Sequence, residues 1–258
     1  MKFSIVTPVY NDPRLKSTLE SVLGQSDVSP EIIIVDGQST DETVSIIEEY
    51  QDLIDTLICE PDEGIYDAMN KGILRAKGDV VGVLNADDRF QDEFVLRDVR
   101  DKLNQTGADV CYADLVYVDE QDEVVRYWES GDYQPRRFYF GWMPPHPTFF
   151  VRRGFYDRYG MFDLEFSIAA DYELMLRFLL KQGASAAYVD RVLVRMAEGG
   201  KSNESVRNIV VANKQVYKSW RKNNLRGGAL SSVLKPLRKL GQFVRKPAEN
   251  KMRDYADS

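Results

Sequence analysis

A single histidine, His146, and two cysteines, Cys59 and Cys111, stand in 258 residues. Both cysteines follow or sit among strand-like apolar residues, so they are expected as small buried hydrophobes, not as a disulfide, a metal pair or a nucleophile. No run of eighteen apolar residues occurs, which argues against a membrane-crossing helix. The first residues, Met1-Lys2-Phe3-Ser4-Ile5-Val6-Thr7-Pro8, enter a strand directly where a signal peptide would place its apolar core, so the expected compartment is the cytoplasm. Neither Gly-x-Gly-x-x-Gly nor Gly-x-x-x-x-Gly-Lys-Ser/Thr is found, and dinucleotide or P-loop phosphate chemistry is therefore not indicated. Low complexity and an evident repeat are missing too. Positive charge is scarce outside the C-terminus: residues 1–205 carry 21 Lys and Arg against 38 Asp and Glu, whereas residues 206–258 carry 13 against three. An acidic body with a basic tail is not the footprint of a general nucleic-acid binder, and no nucleic-acid partner is expected.

What is present is an alternation of strands and helices in a chain long enough for one sizeable domain. Residues 2–11 read as a first strand stopped by Pro8, and Leu15, Leu19, Val22 and Leu23 follow with helical spacing. Glu31-Ile32-Ile33-Ile34-Val35-Asp36 is nearly continuous in apolar residues, as strands buried on both faces of a parallel sheet are. Ser39 or Thr40 is expected to cap the next helix, and residues 55–60 form a third strand. Residues 63–76 form another helix, ended near Gly78. A β-α-β-α-β-α-β order of this kind makes a nucleotide-binding type of half-sheet. Beyond residue 90 strands are expected at 109–114, 115–119 and 124–128, a rigid loop at Pro144-Pro145-His146-Pro147, and a helix from Ala170.

The fourth strand, Val80-Val81-Gly82-Val83-Leu84-Asn85-Ala86-Asp87-Asp88, is an apolar run that ends in two adjacent carboxylates. The crevice beyond the carboxyl ends of such strands is where open α/β sheets bind ligands. Two carboxylates there repel each other in a partly desolvated cleft unless a cation or donor groups balance them. Hard divalent ions that keep positions open for phosphate suit that place, so the pair reads as a metal-assisted site for a phosphorylated ligand; the bland alternative is a solvated acidic loop.

Five motifs in order resemble the family 2 glycosyltransferases of GT-A fold, particularly the bacterial O-antigen and exopolysaccharide branch. They are Thr7-Pro8-Val9-Tyr10-Asn11, Val35-Asp36-Gly37-Gln38-Ser39-Thr40-Asp41, the stretch from Glu60 to Gly72 reading EPDEGIYDAMNKG, Leu84-Asn85-Ala86-Asp87-Asp88, and Ala169-Ala170-Asp171-Tyr172-Glu173-Leu174. The similarity runs over about residues 1–202. It implies a Rossmann-like, mixed but mainly parallel sheet flanked by helices: a catalytic domain over 1–205, with a nucleotide-sugar half at 1–90 and an acceptor half at 91–205, followed by a basic helical extension at 206–258. It also implies a hexosyltransferase-type enzyme with a nucleotide-sugar donor, a Mn²⁺ or Mg²⁺ ion at a DXD-like motif, and inversion at the anomeric carbon.

The resemblance implies roles residue by residue. Thr7, Pro8, Val9 and Tyr10 lie at the donor crevice, where Tyr10 offers a flat face to a base or ribose unless it is ordinary core. Asp36 accepts the imide proton of a uracil, favouring a UDP or dTDP donor, or else caps the following turn. Asp62 approaches base or ribose. Asn70 and Lys71 approach the donor, although Lys71 equally suits an i, i+4 ion pair with Asp67. Ala86 and Asp87 lie against the donor, with Asp88 the main metal ligand and Asp87 on the ribose or indirectly on the ion. Asp171 matches the catalytic aspartate, the base that takes the acceptor proton; the family's preceding Glu is Ala170 here, so the acidic partner is missing, and the competing role is a helix cap. His146 is either structural or a contact to acceptor or metal. Gly199-Gly200-Lys201-Ser202 looks like a loop able to close over the donor phosphates, with Arg195 or Lys201 as cations.

Apolar residues at 230, 233, 234, 237, 240, 243 and 244, with Lys and Arg between them, give residues 230–246 the pattern of an amphipathic helix. Such a tail either lies peripherally on the anionic inner face of the plasma membrane, near a polyprenyl-linked acceptor, or packs on the acidic body. Against transfer to a saccharide acceptor in cell-surface polysaccharide biosynthesis stand two competing readings: a catalytically silent nucleotide-sugar-binding module, and a nucleotidyltransferase, which predicts a Gly-rich phosphate loop where the sequence has Pro8-Val9-Tyr10-Asn11-Asp12-Pro13.

Overall fold

Strands whose side chains are apolar on both faces form the centre of the fold, and helices with one apolar face close over them. The computed structural model describes residues 1–198, 206–243 and 246–252. Strand β1 (Phe3–Val9) is buried along its whole length and pairs in parallel with β2 (Glu31–Asp36) and β4 (Val80–Val83), while β3 (Thr56–Cys59) extends the parallel set beyond β2. The crossovers are α1 (Leu15–Leu23), α2 (Glu42–Glu49) and α3 (Ile65–Arg75). Helix α3 sits very close to the sheet because Gly72 has no side chain: a Cβ there would lie 2.3 Å from Val6 Cγ1 and 3.1 Å from Val35 Cγ2. The N-cap of α2 is Asp41, whose carboxylate accepts the Thr43 N–H at 3.0 Å, one or two residues beyond the expected Ser39 or Thr40. Ser39 is instead bonded back to Asp36, which removes it from the capping position.

The fourth strand is shorter than its apolar run. Pairing stops at Val83; Leu84 and Ala86 remain buried as a turn, which prolongs the hydrophobic signal without prolonging the strand. Asp88 then opens a separate short strand, β5 (Asp88–Phe90), antiparallel to β9 (Ala186–Ala197). Helix α4 (Val95–Thr106) leads to β6 (Val110–Val118), one nine-residue strand where two had been expected, because its register against β9 shifts on either side of Asp114 without the pairing being lost. Strand β7 (Val124–Trp128) folds back on β6, β8 (Phe150–Arg152) links β4 to β6, α5 (Arg153–Tyr159) follows β8, and α6 (Ala170–Met175) runs into a π-helical turn, Leu176–Lys181. Among the described residues the sheet has nine strands in the order β3-β2-β1-β4-β8-β6-β9-β5, with β7 beside β6.

The C-terminal helices lie against this body. Val216 and Trp220 of α7 (Val206–Lys222) are fully buried with Phe138 and Tyr172, and the Trp220 indole N–H donates to the Tyr172 hydroxyl at 2.8 Å. Ser231 of α8 (Gly228–Leu240) shares a hydrogen bond with the same hydroxyl, and Pro236 lies within that helix. On α9 (Glu249–Met252), Lys251 reaches buried Asp114 at 3.2 Å and Asp190 at 2.8 Å. Leu230, Val233 and Phe243 stay exposed on the outer side. No helix among the described residues is long and apolar enough to cross a membrane. Cys111 is buried as expected, but Cys59, on the outermost strand, is exposed. The loop at 199–202, with its Lys201, lies outside the described residues; Arg195 forms an ion pair with Asp122 at 3.0 Å.

Candidate active site

Strands β1, β2 and β4 are parallel neighbours, so their carboxyl ends, each with its motif, lie side by side at one edge of the sheet, the edge where open α/β sheets bind ligands. Thr7, Pro8 and Val9 are buried as part of β1, whereas Tyr10, one residue beyond the strand, is 57% exposed, so its ring is an open platform and not core. Asp36 closes β2 at 3% exposure. Its Oδ1 accepts from the Ser39 N–H at 3.0 Å and hydroxyl at 2.6 Å, and Oδ2 receives the Cys59 thiol at 3.3 Å. Turn-capping is thus the role its geometry displays, and the hydrogen bond to Asp36 is the main cause that raises the Cys59 pKa. Gly37 sits between Asp62 and Tyr10: a Cβ would come within 2.6 Å of Asp62 Oδ2 and 3.3 Å of the Tyr10 ring, so only glycine lets the two close in. Asp62 itself accepts the Gly64 N–H at 2.8 Å and caps the turn into α3.

The acidic pair lies at the next strand end. Asp88 is fully buried; Asn85 donates to its Oδ2 at 3.0 Å, while among the described residues its Oδ1 and the Asn85 Oδ1 have no hydrogen-bond partner. Burial holds the Asp88 carboxyl well above the usual carboxylate range, and the charge of Asp87 pushes it further. Burial also raises Asp87, opposed by Arg14, whose guanidinium stands 3.6 Å from Asp87 Oδ2. Arg14 is fixed there by Asp12, through Nε to Oδ1 at 2.8 Å and Nη2 to Oδ2 at 2.6 Å. From below, the Thr18 hydroxyl reaches the carbonyls of Ala86 at 2.9 Å and Asp88 at 2.7 Å. A buried carboxylate oxygen without a donor, beside a second carboxylate, is a hard-oxygen set that fits a divalent ion. Among the described residues no three acidic, His or Cys side chains form a closed cage, so such an ion would complete its shell from a bound ligand.

Helices α3 and α6 bring Tyr66 and Asp171 together. Asp171 lies in the first turn of α6, whose N-cap is Ala169 without a side-chain cap; the carboxylate therefore does not cap the helix. Its Oδ1 instead lies 3.3 Å from the Tyr66 hydroxyl, whose single proton is shared with the Ile168 carbonyl at 2.9 Å. Burial, then the charge of Asp171, holds the Tyr66 hydroxyl well above its ordinary pKa. The rings of Tyr66 and His146 meet Phe162 at centroid distances of 5.5 and 5.4 Å. Burial lowers the His146 pKa, with the charge of Asp171 acting against it. Tyr117 on β6 has its pKa raised chiefly by burial, opposed by the charge of Arg126, with the charges of Asp88 and Asp171 adding to the rise.

Two of the residues expected at the donor are occupied elsewhere. Asn70 pairs with the Phe162 backbone, and Lys71 bonds the Pro61 carbonyl at 2.7 Å and pairs with Glu60 and Asp67, both at 3.1 Å. Arg14, Thr18, Tyr66 and Tyr117 were not singled out from the sequence. Tyr66 alone carried a local signal: it stands four residues before Asn70 on one helix face.

The Glycosyl transferase family 2 model matches residues 4–160 of the chain. A PGL/p-HBAD biosynthesis glycosyltransferase of Mycobacterium bovis is 31% identical over 209 residues, which span 79% of this chain and 80% of that protein. A putative teichuronic acid biosynthesis glycosyltransferase, TuaG of Bacillus subtilis, is 38% identical over 92 residues, 34% of this chain and 36% of TuaG. Among solved structures, S. aureus TarS 1-349 in complex with UDP-GlcNAc superposes with a TM-score of 0.65 at 19% identity, covering 91% of this chain and 70% of that one. The mannosyltransferase PcManGT from Pyrobaculum calidifontis, in complex with GDP-Man and Mn²⁺, gives 0.65 at 16%, covering 90% and 69%.

Proposed function

We propose that this chain, which belongs to glycosyl transferase family 2 and is a glycosyltransferase of GT-A fold, moves a sugar with inversion from a UDP- or dTDP-sugar to a saccharide or lipid-linked saccharide of the bacterial cell surface. The observation that carries this reading is the fully buried Asp88 carboxylate at the end of the parallel strands, beside Asp87 and with one oxygen that no described residue bonds. The relatives that serve PGL/p-HBAD and teichuronic acid biosynthesis support the direction of the acceptor.

In this reading Asp88 would hold a Mn²⁺ or Mg²⁺ ion, with Asp87 on the ribose or indirectly on the ion. When bound, the ion offsets the charge that develops on the departing nucleoside diphosphate. Tyr10 gives the base a face to stack on, Asp62 and the β1 end line the nucleotide slot, and Asp36 keeps the turn beside it in shape. Across the space, Asp171 takes the proton of the acceptor hydroxyl while that oxygen attacks the anomeric carbon and the bond to the diphosphate breaks. His146 and Phe162 line the acceptor side of Asp171. We divide the chain into a catalytic unit, 1–205, and a basic extension, 206–258; Leu230, Val233 and Phe243 on the extension support contact with an anionic membrane surface.

The test is a donor screen that follows UDP, GDP and dTDP release with Mn²⁺ or Mg²⁺ and a lipid-linked acceptor. Asp171→Asn is expected to lower transfer by about 10²–10⁴-fold, the usual contribution of a general base, with donor affinity retained. Transfer by Asp171→Asn at the wild-type rate would remove the base from the reading. Full activity in chelator, with any donor, would remove the ion.

A further inference from the structure

Helix α3 carries the motif residues expected to serve the donor, yet two of its polar residues, Tyr66 and Asn70, grip the segment that leads to Asp171. Asn70 donates from Nδ2 to the Phe162 carbonyl at 2.8 Å and accepts the Phe162 N–H on Oδ1 at 2.9 Å, which fixes both polar atoms of that residue's backbone. One turn earlier on the same face, the Tyr66 ring stacks on the Phe162 ring at 29°. Beyond that ring the Tyr66 hydroxyl meets the end of the same segment, at the Ile168 carbonyl and Asp171 Oδ1. The segment from Phe162 to Asp171 is thus held at its start by Asn70 and at its end by Tyr66. The helix that holds it cannot drift, because Gly72 lets its backbone lie against Val6 and Val35 of the strands that end at the donor crevice.

We propose that Tyr66, seated by Asn70 and Phe162, is a positioning residue for Asp171: its hydroxyl, one proton shared between the Ile168 carbonyl and Oδ1, restrains Oδ1, and Oδ2 is left to meet the acceptor hydroxyl. Among the described residues Asp171 Oδ2 accepts no hydrogen bond, so the carboxylate has one restrained oxygen and one open one. Proton transfer demands a heavy-atom approach within a narrow distance and angle, and a carboxylate free to spin about its Cβ–Cγ bond spends much of its time misaligned. The inference rests on the reading of Asp171 as the base. It assigns to the α3 motif a coupling task, in which one helix sets donor crevice and base in a fixed relation.

Tyr66→Phe removes the hydroxyl and keeps the ring on Phe162, so the fold is retained. Loss of one hydrogen bond to a charged acceptor corresponds to about a tenfold fall in kcat. KM for the donor and affinity for UDP are expected to stay within about twofold of wild type, because the hydroxyl touches nothing on the donor side. In the Asp171→Asn background the same change should cause no further loss in the residual turnover, since two changes that act through one group do not add. An unchanged kcat in Tyr66→Phe, or an equal tenfold loss on top of Asp171→Asn, would overturn the inference while leaving the base in place. Wild-type transfer by Asp171→Asn alone would overturn the base and, with it, the inference.

Discussion

Replacing Asp88 by Asn separates what the carboxylate costs the empty protein from what it does for the ligand. The side chain is fully buried, one oxygen lacks a donor, and Asp87 is adjacent. Because burial raises its folded pKa, the favourable neutral form is fully present below the ordinary carboxylate value near 4 and is lost as pH rises through the folded value. Between that ordinary value and pH 8 the unfolded chain ionises freely while the fold resists, so folding carries a penalty, about 1–3 kcal/mol for the orphaned acceptor. Asn has the same shape and cannot ionise, so Asp88→Asn is expected to melt higher than wild type at pH 8. With about 2–4 °C per kcal/mol for a chain of this size, the gain is roughly 2–12 °C, and it should shrink toward zero near pH 4. With Mn²⁺ and UDP the order reverses: wild type gains about 2.7 kcal/mol at a ligand concentration one hundred times Kd, and the variant gains little. Scanning fluorimetry from pH 4 to 9, with and without Mn²⁺ and UDP, reads both effects. A lower melting point for metal-free Asp88→Asn at pH 8, or an equal shift on adding metal and UDP, would refute the reasoning.

Three further outcomes follow from other contacts. Gly72→Ala forces a Cβ into Val6, so despite the better helix propensity of Ala the urea midpoint should fall by the equivalent of about 1–3 kcal/mol with an unchanged m-value; an unchanged or higher midpoint would contradict the close packing of α3. His146 has its folded pKa lowered by burial, so the unfolded chain takes the proton first as pH drops through about 6.5, and stability falls on the acid side. In His146→Gln the decline of unfolding free energy between pH 7 and 5 should be shallower, and identical slopes would refute this account of His146. For the tail, vesicle sedimentation compares the full chain with a form ending at residue 227: binding to anionic vesicles only by the full chain is expected, and equal binding by both would exclude the membrane contact.

The parallel half of the sheet was legible because strands buried on both faces print as continuous apolar runs, as Ile32 to Val35 do. The same signal misled at β4, where buried Leu84 and Ala86 extended the run past the last strand pairing. Strands β5 and β8 are three residues each, too short for any period, and their partners lie far along the chain. At the site, Asp87, Asp88 and Asp171 stood out because their motifs are local. What Asn70 and Tyr66 touch was not legible, since Phe162 and Asp171 are about a hundred residues away and meet them only through the fold. Arg14 was hidden for the same reason: its near partner Asp12 is visible in sequence, but its reach to Asp87 is not.

Helix α1 touches the acidic turn twice, with Arg14 just before its first residue meeting the Asp87 carboxylate and Thr18, four residues on, bonded to the turn's carbonyls. Two points of attachment fix a tilt as well as a distance, so the helix works as a bracket that sets the direction in which the pair faces. One residue inserted between 14 and 18 would rotate the second point by about 100° and leave the first in place. The spacing of those two side chains thus limits where this chain tolerates a change of length: the stretch from Arg14 to Thr18 cannot absorb one without turning the carboxylates out of line.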